Sequence, residues 1–420
     1  MSHNDAFRAG RRRVLGGLGM GAAALALAPF RLRAESRAPA ELKKRYPGKV
    51  IDLVQRSLVI DMLAPLKIDF NPDAFSLPLS EADAEMFRTC GITGFHNSVG
   101  VGGATAYDEA LQFIAAWSGF AGRNSEVFSL VGRVEDLDHA KATRKVAVIM
   151  GLQNADEFRQ PGDVKDFYDL GLRCAQLTYN TQNVIGSGST ERVDGGVTDY
   201  GAKIIEAMND VGMLIDVSHS GDRTTLDAIE LSPKPIAITH SNCRALNNHP
   251  RLKTDEAITK LAAKGGVMGI TGVRMFVKDK EPTTIEDIVD HIDHVVKLVG
   301  IDHVGVGSDS DLMGYDHMPK DQYEKLKASY KSSYAFRDKI DTDGFDHPRK
   351  VYDLTATLLK RGYSEANIQA VLGGNFRRLL GSTWLEPKHT PPPDRSPSAS
   401  EAKDGRERPS ESKKPEEKKS

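Results

Sequence analysis

The chain has 420 residues, of which 56 are basic and 58 acidic, with 40% hydrophobic and 27% charged side chains. This is the composition of an ordinary globular protein, and its slight acidity excludes a nucleic-acid-binding protein that relies on a basic surface. The three cysteines, Cys90, Cys174 and Cys243, are far apart in sequence, which excludes a disulfide framework and a zinc ribbon.

The N-terminus has the pattern of an export signal. Arg11, Arg12 and Arg13 precede a run rich in glycine, alanine and leucine that reaches Phe30. Paired arginines before a weakly apolar run are typical of a twin-arginine signal, so we expect residues 1–34 to direct export to the periplasm. The run is short and glycine-rich for a membrane span, and we expect no stable span after cleavage.

The remaining boundaries follow from composition. Residues 35–49 are expected to form a linker and residues 50–386 the folded domain. Residues 387–420 are rich in proline, serine, lysine and glutamate and contain no aromatic residue. Such a segment cannot bury enough apolar surface to offset its ordering entropy, so we expect a disordered tail.

Eight short apolar runs within residues 50–386 are predicted to be strands. They are continuous rather than alternating, as expected of strands buried on both faces: Leu58–Asp61, Gly91–His96, Val146–Leu152, Arg173–Thr178, Met213–Val217, Pro235–Thr239, Gly266–Ile270 and His303–Gly307. Helical patterns separate several of them, for example Ala202–Asn209, Thr254–Ala263 and Ile285–Leu298. Eight such units predict an α/β protein with a (β/α)8 TIM barrel. The alternative, a doubly wound sheet, is disfavoured because no GxGxxG follows the first strand.

A barrel of this kind places its active site at the carboxyl ends of its strands. The polar residues there are Asp61, His96, Gln153, Tyr179, Asp216, His219, His240, Asp309 and Asp311. His219 and His240 follow adjacent strands and could converge on one zinc ion, and Asp309 could complete the site or accept a proton from water. His291 and His294 are one turn apart on a helix and are interpreted as a solvated face. The serine-hydrolase motif GxSxG and the zinc motif HExxH are both absent.

Several segments resemble the membrane (renal) dipeptidase family. They are Asp216-Val217-Ser218-His219-Ser220, Thr239-His240-Ser241-Asn242, the stretch from His249 to Glu256, Gly265-Gly266-Val267, the stretch from Gly300 to Asp309, and Gly373-Gly374-Asn375-Phe376. The similarity covers about residues 50–385 and is strongest in the C-terminal half. The resemblance implies a metal-dependent barrel related to the amidohydrolases. Members of the family hydrolyse dipeptides and use two zinc ions that a glutamate bridges.

The resemblance also implies roles for individual residues. His219 and His240 match the two histidines of one metal. Asp309 matches the aspartate that binds the other metal and serves the catalytic water. Arg251 matches the arginine that binds the substrate carboxylate, a group that a guanidinium fits well.

The N-terminal half departs from the family pattern. Leu63 and Pro65 stand where a His-x-Asp pair of ligands is expected, Gln153 replaces the bridging glutamate, and Tyr179 replaces a histidine that polarises the substrate carbonyl. Gln153 is a weaker ligand for a dication than a carboxylate, and leucine and proline cannot bind one. We therefore expect one zinc ion rather than two, held by His219, His240, Asp309 and Gln153. Asp309 is the expected general base, and Tyr179 the expected donor to the oxyanion and a contact of the substrate.

Three functional hypotheses remain open at this point. The first is an exported zinc-dependent hydrolase of dipeptides or small amides, with a small-molecule or dipeptide substrate. The second is a non-catalytic periplasmic binding protein that kept the barrel and the Arg251 pocket but lost part of the metal site. The third is a barrel enzyme of another class that acts without metal, such as an isomerase. A homodimer is also left open.

Overall fold

The structure, a computed structural model, describes residues 40–66, 75–315, 318–328 and 330–385. The expected signal segment 1–34 and the tail 387–420 lie outside these residues. Within the described residues the strands are β1 (Ile60–Asp61), β2 (Gly94–Val99), β3 (Phe128–Leu130), β4 (Val146–Leu152), β5 (Leu172–Gln176), β6 (Leu214–Asp216), β7 (Ala237–Ser241), β8 (Val267–Ile270) and β9 (Val304–Val306).

Helices follow or precede nearly every strand. They are α1 (Ala40–Arg45), α2 (Gly48–Arg56), α3 (Glu81–Thr89), α4 (Ala106–Arg123), α5 (Glu135–Thr143), α6 (Pro161–Asp169), α7 (Asp199–Val211), α8 (Asp222–Leu231), α9 (Asp255–Ala263), α10 (Arg274–Val277), α11 (Ile285–Val299), α12 (Lys320–Ala328), α13 (Lys350–Lys360), α14 (Glu365–Gln369) and α15 (Asn375–Thr383). Side chains of Ser80, Thr198, Thr254 and Ser364 cap α3, α7, α9 and α14. The stretch 35–49, expected to be a linker, contains all of α1 and the first residues of α2, so its described part is largely helical.

Eight parallel strands close into a barrel. β2 pairs with both β1 and β4, and the ring continues through β5, β6, β7, β8 and β9 back to β1. This confirms the (β/α)8 prediction, and the eight predicted runs coincide with or overlap the eight ring strands. β3 was not predicted; it pairs with the first residues of β4, before β5 joins the same edge. Its three residues are too few for a periodic pattern to show.

The strands are buried on both faces, as their continuous apolar sequences indicate. All seven residues of β4 are buried. At the amino end of the barrel Phe376 of α15 packs against β9, where a Cβ on Gly305 would lie 2.5 Å from the Phe376 ring. The indole nitrogen of Trp384 donates to the carbonyl of Arg173, 3.1 Å away. The apolar core therefore closes one end of the barrel and leaves the carboxyl ends of the strands for polar chemistry.

None of the helices in the described part of the chain combines the length and apolar character that a bilayer span requires.

His291 of α11 is buried, which contradicts the interpretation of a solvated face. Its Nδ1 accepts from the backbone of Cys243, 3.1 Å away, and its Nε2 donates to Val277, 2.8 Å away. The helix carries its histidine inward because α11 packs against the loops that follow β7 and β8.

Candidate functional site

A cavity of about 810 Å³ opens at the carboxyl ends of the strands. Gln153, Tyr179 and Asp309 line it, together with the glycine-rich loop after β2. Its opposite wall comes from the chain after β8 and from residues 318–328 and 330–340, which we call the capping segment. Three of the residues singled out from the sequence thus share one cavity.

His219 and His240 lie close together beside this cavity. Their ring centroids are 5.0 Å apart and their Nε2 atoms are 3.0 Å apart. Both side chains are buried, and neither is among the residues that line the cavity. Tyr179 stacks on the His219 ring with 4.2 Å between centroids, so this tyrosine contacts both the cavity and the imidazole pair.

Hydrogen bonds fix the tautomers of the two imidazoles. His219 Nδ1 lies 2.8 Å from Asn180 Oδ1, an acceptor, and therefore carries the proton. His240 Nδ1 lies 2.8 Å from Thr239 Oγ1, whose own proton goes to Asp216 Oδ2 at 2.6 Å, so this Nδ1 is also protonated. Each Nε2 is then left with a lone pair.

Burial, assisted by the nearby charge of Arg251, lowers the pKa of His219 and of His240 well below the usual value. Both rings are therefore neutral at neutral pH, the form that binds metal. Two lone pairs that face each other at 3.0 Å repel unless a cation or a proton lies between them. Neutral imidazole is a common zinc ligand, so this pair of nitrogens would be the part of the site that holds such an ion.

The donor atoms that the structure brings together are the two imidazole nitrogens, His219 Nε2 and His240 Nε2. Across the described residues, no three His, Cys, Asp or Glu side chains are grouped closely enough to hold a metal. Leu63 is fully buried, and Pro65 lines the cavity, where neither can donate to an ion. Gln153 Nε2 donates to the carbonyl of Ser98 at 2.9 Å, so only its amide oxygen remains as a ligand atom.

Asp309 occupies a strained position at the base of the cavity. Its φ is 54°, in the left-handed region, and its backbone N–H donates to Leu63 at 2.8 Å. Burial raises the pKa of Asp309 to about 7, with Arg251 opposing the rise and Asp61 adding to it. A carboxyl with such a pKa can accept and release a proton near neutral pH.

Arg251 is fully buried beneath the site rather than exposed in the cavity. Its two terminal nitrogens donate to the carbonyls of Ser218 and His240, the second at 2.9 Å. Lys253 donates to the carbonyls of Val217 and Ser220 at 2.6 and 2.7 Å. Both side chains hold the turn that carries His219, and a substrate carboxylate would have to compete with these bonds to reach Arg251.

His96 and Asp61 complete the buried polar layer. His96 is the third residue of β2, not its end, and its Nδ1 donates to the carbonyl of Met62 at 2.8 Å. A Cβ on Gly151 would lie 1.8 Å from His96 Nε2, so β4 needs glycine there. Asp61 accepts from the backbone of Ser308 at 2.7 Å.

The sequence analysis did not identify some residues of the site. Asn180 sets the tautomer of His219, Lys350 is buried among Ser308, Ser310 and Asp311, and Tyr330 meets the Tyr179 hydroxyl at 2.9 Å. Asn180 stands directly after a predicted strand end, which was an available signal. Tyr330 lies in a segment without periodicity, and Lys350 is the first residue of α13. Neither stands at a strand end, so the sequence did not indicate them.

Known proteins provide an independent comparison. The sequence model of the membrane dipeptidase family (peptidase family M19) matches residues 55–329. Dipeptidase verJ of Clonostachys rogersoniana is 30% identical over 241 residues, which are 57% of this chain and 55% of that protein. The chain thus spans about half the length of this curated relative, and the same holds for a dipeptidase of Claviceps purpurea, tcpJ, at 26% identity.

Solved structures give a longer match. An amidohydrolase from Pseudomonas aeruginosa is 32% identical with a TM-score of 0.70, covering 80% of this chain and 99% of that one. A metallopeptidase from Rhodobacter sphaeroides, solved with a phosphinate mimic of L-Ala-D-Ala, has a TM-score of 0.62 at 19% identity over 78% of this chain and 100% of that one, and shows the fold alone. The family match covers well over half of the chain, and the chain therefore belongs to the membrane dipeptidase family, peptidase family M19.

Proposed function

We propose that the protein is an exported zinc-dependent hydrolase of dipeptides or small amides. One observation carries the proposal: the unprotonated Nε2 atoms of His219 and His240 face each other at 3.0 Å beside a large cavity. Membership of the family and the names of the similar dipeptidases support the same reaction class.

His219 and His240 would hold the ion, with Gln153 and Asp309 as the further ligand candidates at the cavity. A zinc ion supplies Lewis acidity that polarises the scissile carbonyl. Asp309 accepts a proton from the attacking water, which its carboxyl can do once the pH exceeds its pKa of about 7. Tyr179 lines the cavity, and its hydroxyl would exchange its bond to Tyr330 for one to the developing oxyanion.

The alternative is a binding protein without catalysis. Leu63 and Pro65 favour it because they remove two ligand positions, and Tyr179 favours it because its ring stacks on His219. Such a protein would bind a ligand in the cavity, and the imidazole pair would take no part in a reaction.

The experiment that separates the two measures zinc content and hydrolysis of a dipeptide panel, with and without chelator. A hydrolase retains about one equivalent of zinc and loses turnover on chelation, with recovery when zinc is restored. A protein that binds a dipeptide but never turns it over, at any zinc concentration, would be the binding protein instead.

A further inference from the structure

The wall of the cavity opposite the barrel is built mainly from apolar and aromatic side chains, with Gln322 and Lys325 as the polar residues of the capping segment that line it. The capping segment contributes Met318, Leu326, Tyr330, Tyr334, Phe336 and Ile340. This wall faces the carboxyl ends of the strands, where Gln153 and Asp309 lie, so the cavity has one polar and one apolar side. A ligand that spans the cavity must match both.

The aromatic rings of the wall support one another. Tyr330 and Tyr334 have centroids 4.6 Å apart, and Phe336 lies 5.2 Å from each. Tyr334 in turn packs at 5.2 Å against Phe276, which is buried. Because the rings are already packed, the surface they present is formed before a ligand arrives.

The hydroxyl groups of these tyrosines already have hydrogen-bond partners within the protein. The Tyr330 hydroxyl meets that of Tyr179 at 2.9 Å, and the Tyr334 hydroxyl is hydrogen-bonded by the side chain of Asn180. What remains for a ligand is ring and aliphatic carbon. A charged or strongly polar group placed against this surface would lose its hydration without gaining a partner.

The charges around the cavity point the same way. Its lining includes the carboxyl groups of Asp156 and Asp309 and the single ammonium of Lys325. Asp156 is engaged with the backbone of Gly103 and the amide of Asn154, both at 3.1 Å. An acidic side chain on the substrate would therefore find one cationic side chain, Lys325, among the lining residues that the structure describes.

We propose that the capping segment forms a specificity subsite for a large apolar side chain, preferably aromatic. The preferred substrates are then dipeptides or aminoacyl amides that carry such a side chain, and this substrate class rests on the hydrolase proposed above. The cavity volume of about 810 Å³ is in the range of sites for drug-sized ligands, which a dipeptide of two alanines would leave largely unfilled.

Hydrolysis of matched dipeptides tests the subsite. We expect kcat/KM for L-Phe-L-Ala or L-Ala-L-Phe, whichever is better, to exceed that for L-Ala-L-Ala by roughly tenfold to a hundredfold, the effect of burying one aromatic ring. Leu326→Gln combined with Phe336→Ser should reduce this ratio at least fivefold. The matched control Leu298→Gln changes an exposed leucine of α11 and should leave the ratio as it is. Equal rates for the three dipeptides, or an unaltered ratio in the double variant, would overturn the subsite.

A binding measurement keeps this question separate from catalysis. The neutral fluorescent probe N-phenyl-1-naphthylamine should bind saturably, and N-acetyl-L-phenylalaninamide should displace it at concentrations at least tenfold lower than N-acetyl-L-alaninamide. The double variant should bind the probe at least fivefold more weakly than the wild type, and the Leu298→Gln variant should bind it as the wild type does. If the protein hydrolyses nothing but shows this pattern, the subsite stands and the proposed hydrolase fails. Absence of saturable binding rejects the subsite even in an active enzyme.

Discussion

The imidazoles of His219 and His240 face each other, and hydrogen bonds fix their orientation and protonation. Their Nδ1 protons are committed to Asn180 and Thr239, so neither ring can turn a proton toward the other without giving up a buried hydrogen bond. A cation between the Nε2 atoms removes the repulsion at no such cost. The same bonds keep both rings in the orientation that a metal needs.

Replacing His219 by alanine should remove tight zinc binding while the barrel remains folded. One ligand of a two-imidazole set is lost, and the residue follows a strand rather than forming the apolar core. Zinc per chain, measured by elemental analysis after dialysis, is expected to fall from about one to below roughly 0.2, with an unchanged circular dichroism spectrum. The exposed His139→Ala variant is the control and should keep its zinc. Two equivalents in the wild type would show that other side chains act as replacement ligands.

Glu157 gives a prediction about pH and stability. Its side chain is fully buried, and among the described residues neither oxygen meets a hydrogen-bonding group of another residue. Burial raises the pKa of Glu157 well above its usual value of 4.5. The folded state therefore keeps its proton at pH values where the unfolded chain has released it, and stability present below pH 4.5 is lost as the pH rises toward the folded pKa.

Glu157→Gln should abolish this loss. The free energy of unfolding of the wild type should fall relative to the variant by about 1.4 kcal/mol for each pH unit between about 4.5 and the folded pKa. Urea denaturation at about pH 4.5, 6 and 7.5 measures the difference. A gap between the two proteins that stays constant over this range would show that the carboxyl is ionised in the folded protein.

At the scale of elements, one carboxylate connects two strands. Asp216 ends β6, and its oxygens accept from the backbone and hydroxyl groups of Ser218 and Thr239, at distances from 2.5 to 3.0 Å. Because Thr239 in turn holds His240, the geometry of the metal candidate depends on the β6–β7 contact. Asp216 thus orients the candidate site through its hydrogen bonds.

Asp216→Asn should weaken both the fold and the site. The amide presents N–H groups where two hydroxyls and two backbone amides already donate, leaving buried donors without an acceptor. We expect a loss of about 1–3 kcal/mol in the free energy of unfolding, together with weaker zinc binding. Asp210→Asn on the exposed side of α7 is the matched control and should lie within about 0.5 kcal/mol of the wild type.

The strands could be predicted because burial on both faces leaves a continuous apolar pattern, and β4 shows it in all seven residues. The capping segment could not be predicted in the same way. Its aromatic residues pack on one another across a loop and a short helix, so their spacing follows no period. The predicted His219–His240 pair came from strand ends, whereas the burial of Arg251 depends on tertiary contacts that spacing does not encode.

At the scale of the whole molecule, the N-terminal segment predicts where the protein works. Arg12→Lys combined with Arg13→Lys should leave the precursor in the cytoplasm, because the twin-arginine route requires the arginine pair. Cell fractionation and immunoblotting of precursor and mature forms measure this. Arg8→Lys combined with Arg31→Lys changes two isolated arginines of the same segment and is the control, which should be exported normally. Export of the Arg12 and Arg13 variant at the wild-type rate would indicate another route.

The barrel could be predicted from the sequence more completely than the site, because the two depend on the sequence in different ways. Closure of eight strands depends on a pattern repeated along the chain, and individual departures such as Leu63 or Gln153 leave it intact. The site depends on single side chains, and each departure changes what the cavity can hold. Sequence therefore predicted which residues meet at one end of the barrel, whereas the burial of Arg251 and the stacking of Tyr179 on His219 depend on tertiary contacts.

Under the proposed function, the left-handed backbone of Asp309 places stability and activity in opposition. At φ 54° a glycine would adopt the same conformation without strain, a gain of the order of 1 kcal/mol. A lineage selected only for a durable fold would be free to drift to glycine at this position, and one that must turn over substrate would not. Among natural variants of this chain, the residue at position 309 is therefore a marker of whether the barrel is still kept for its chemistry.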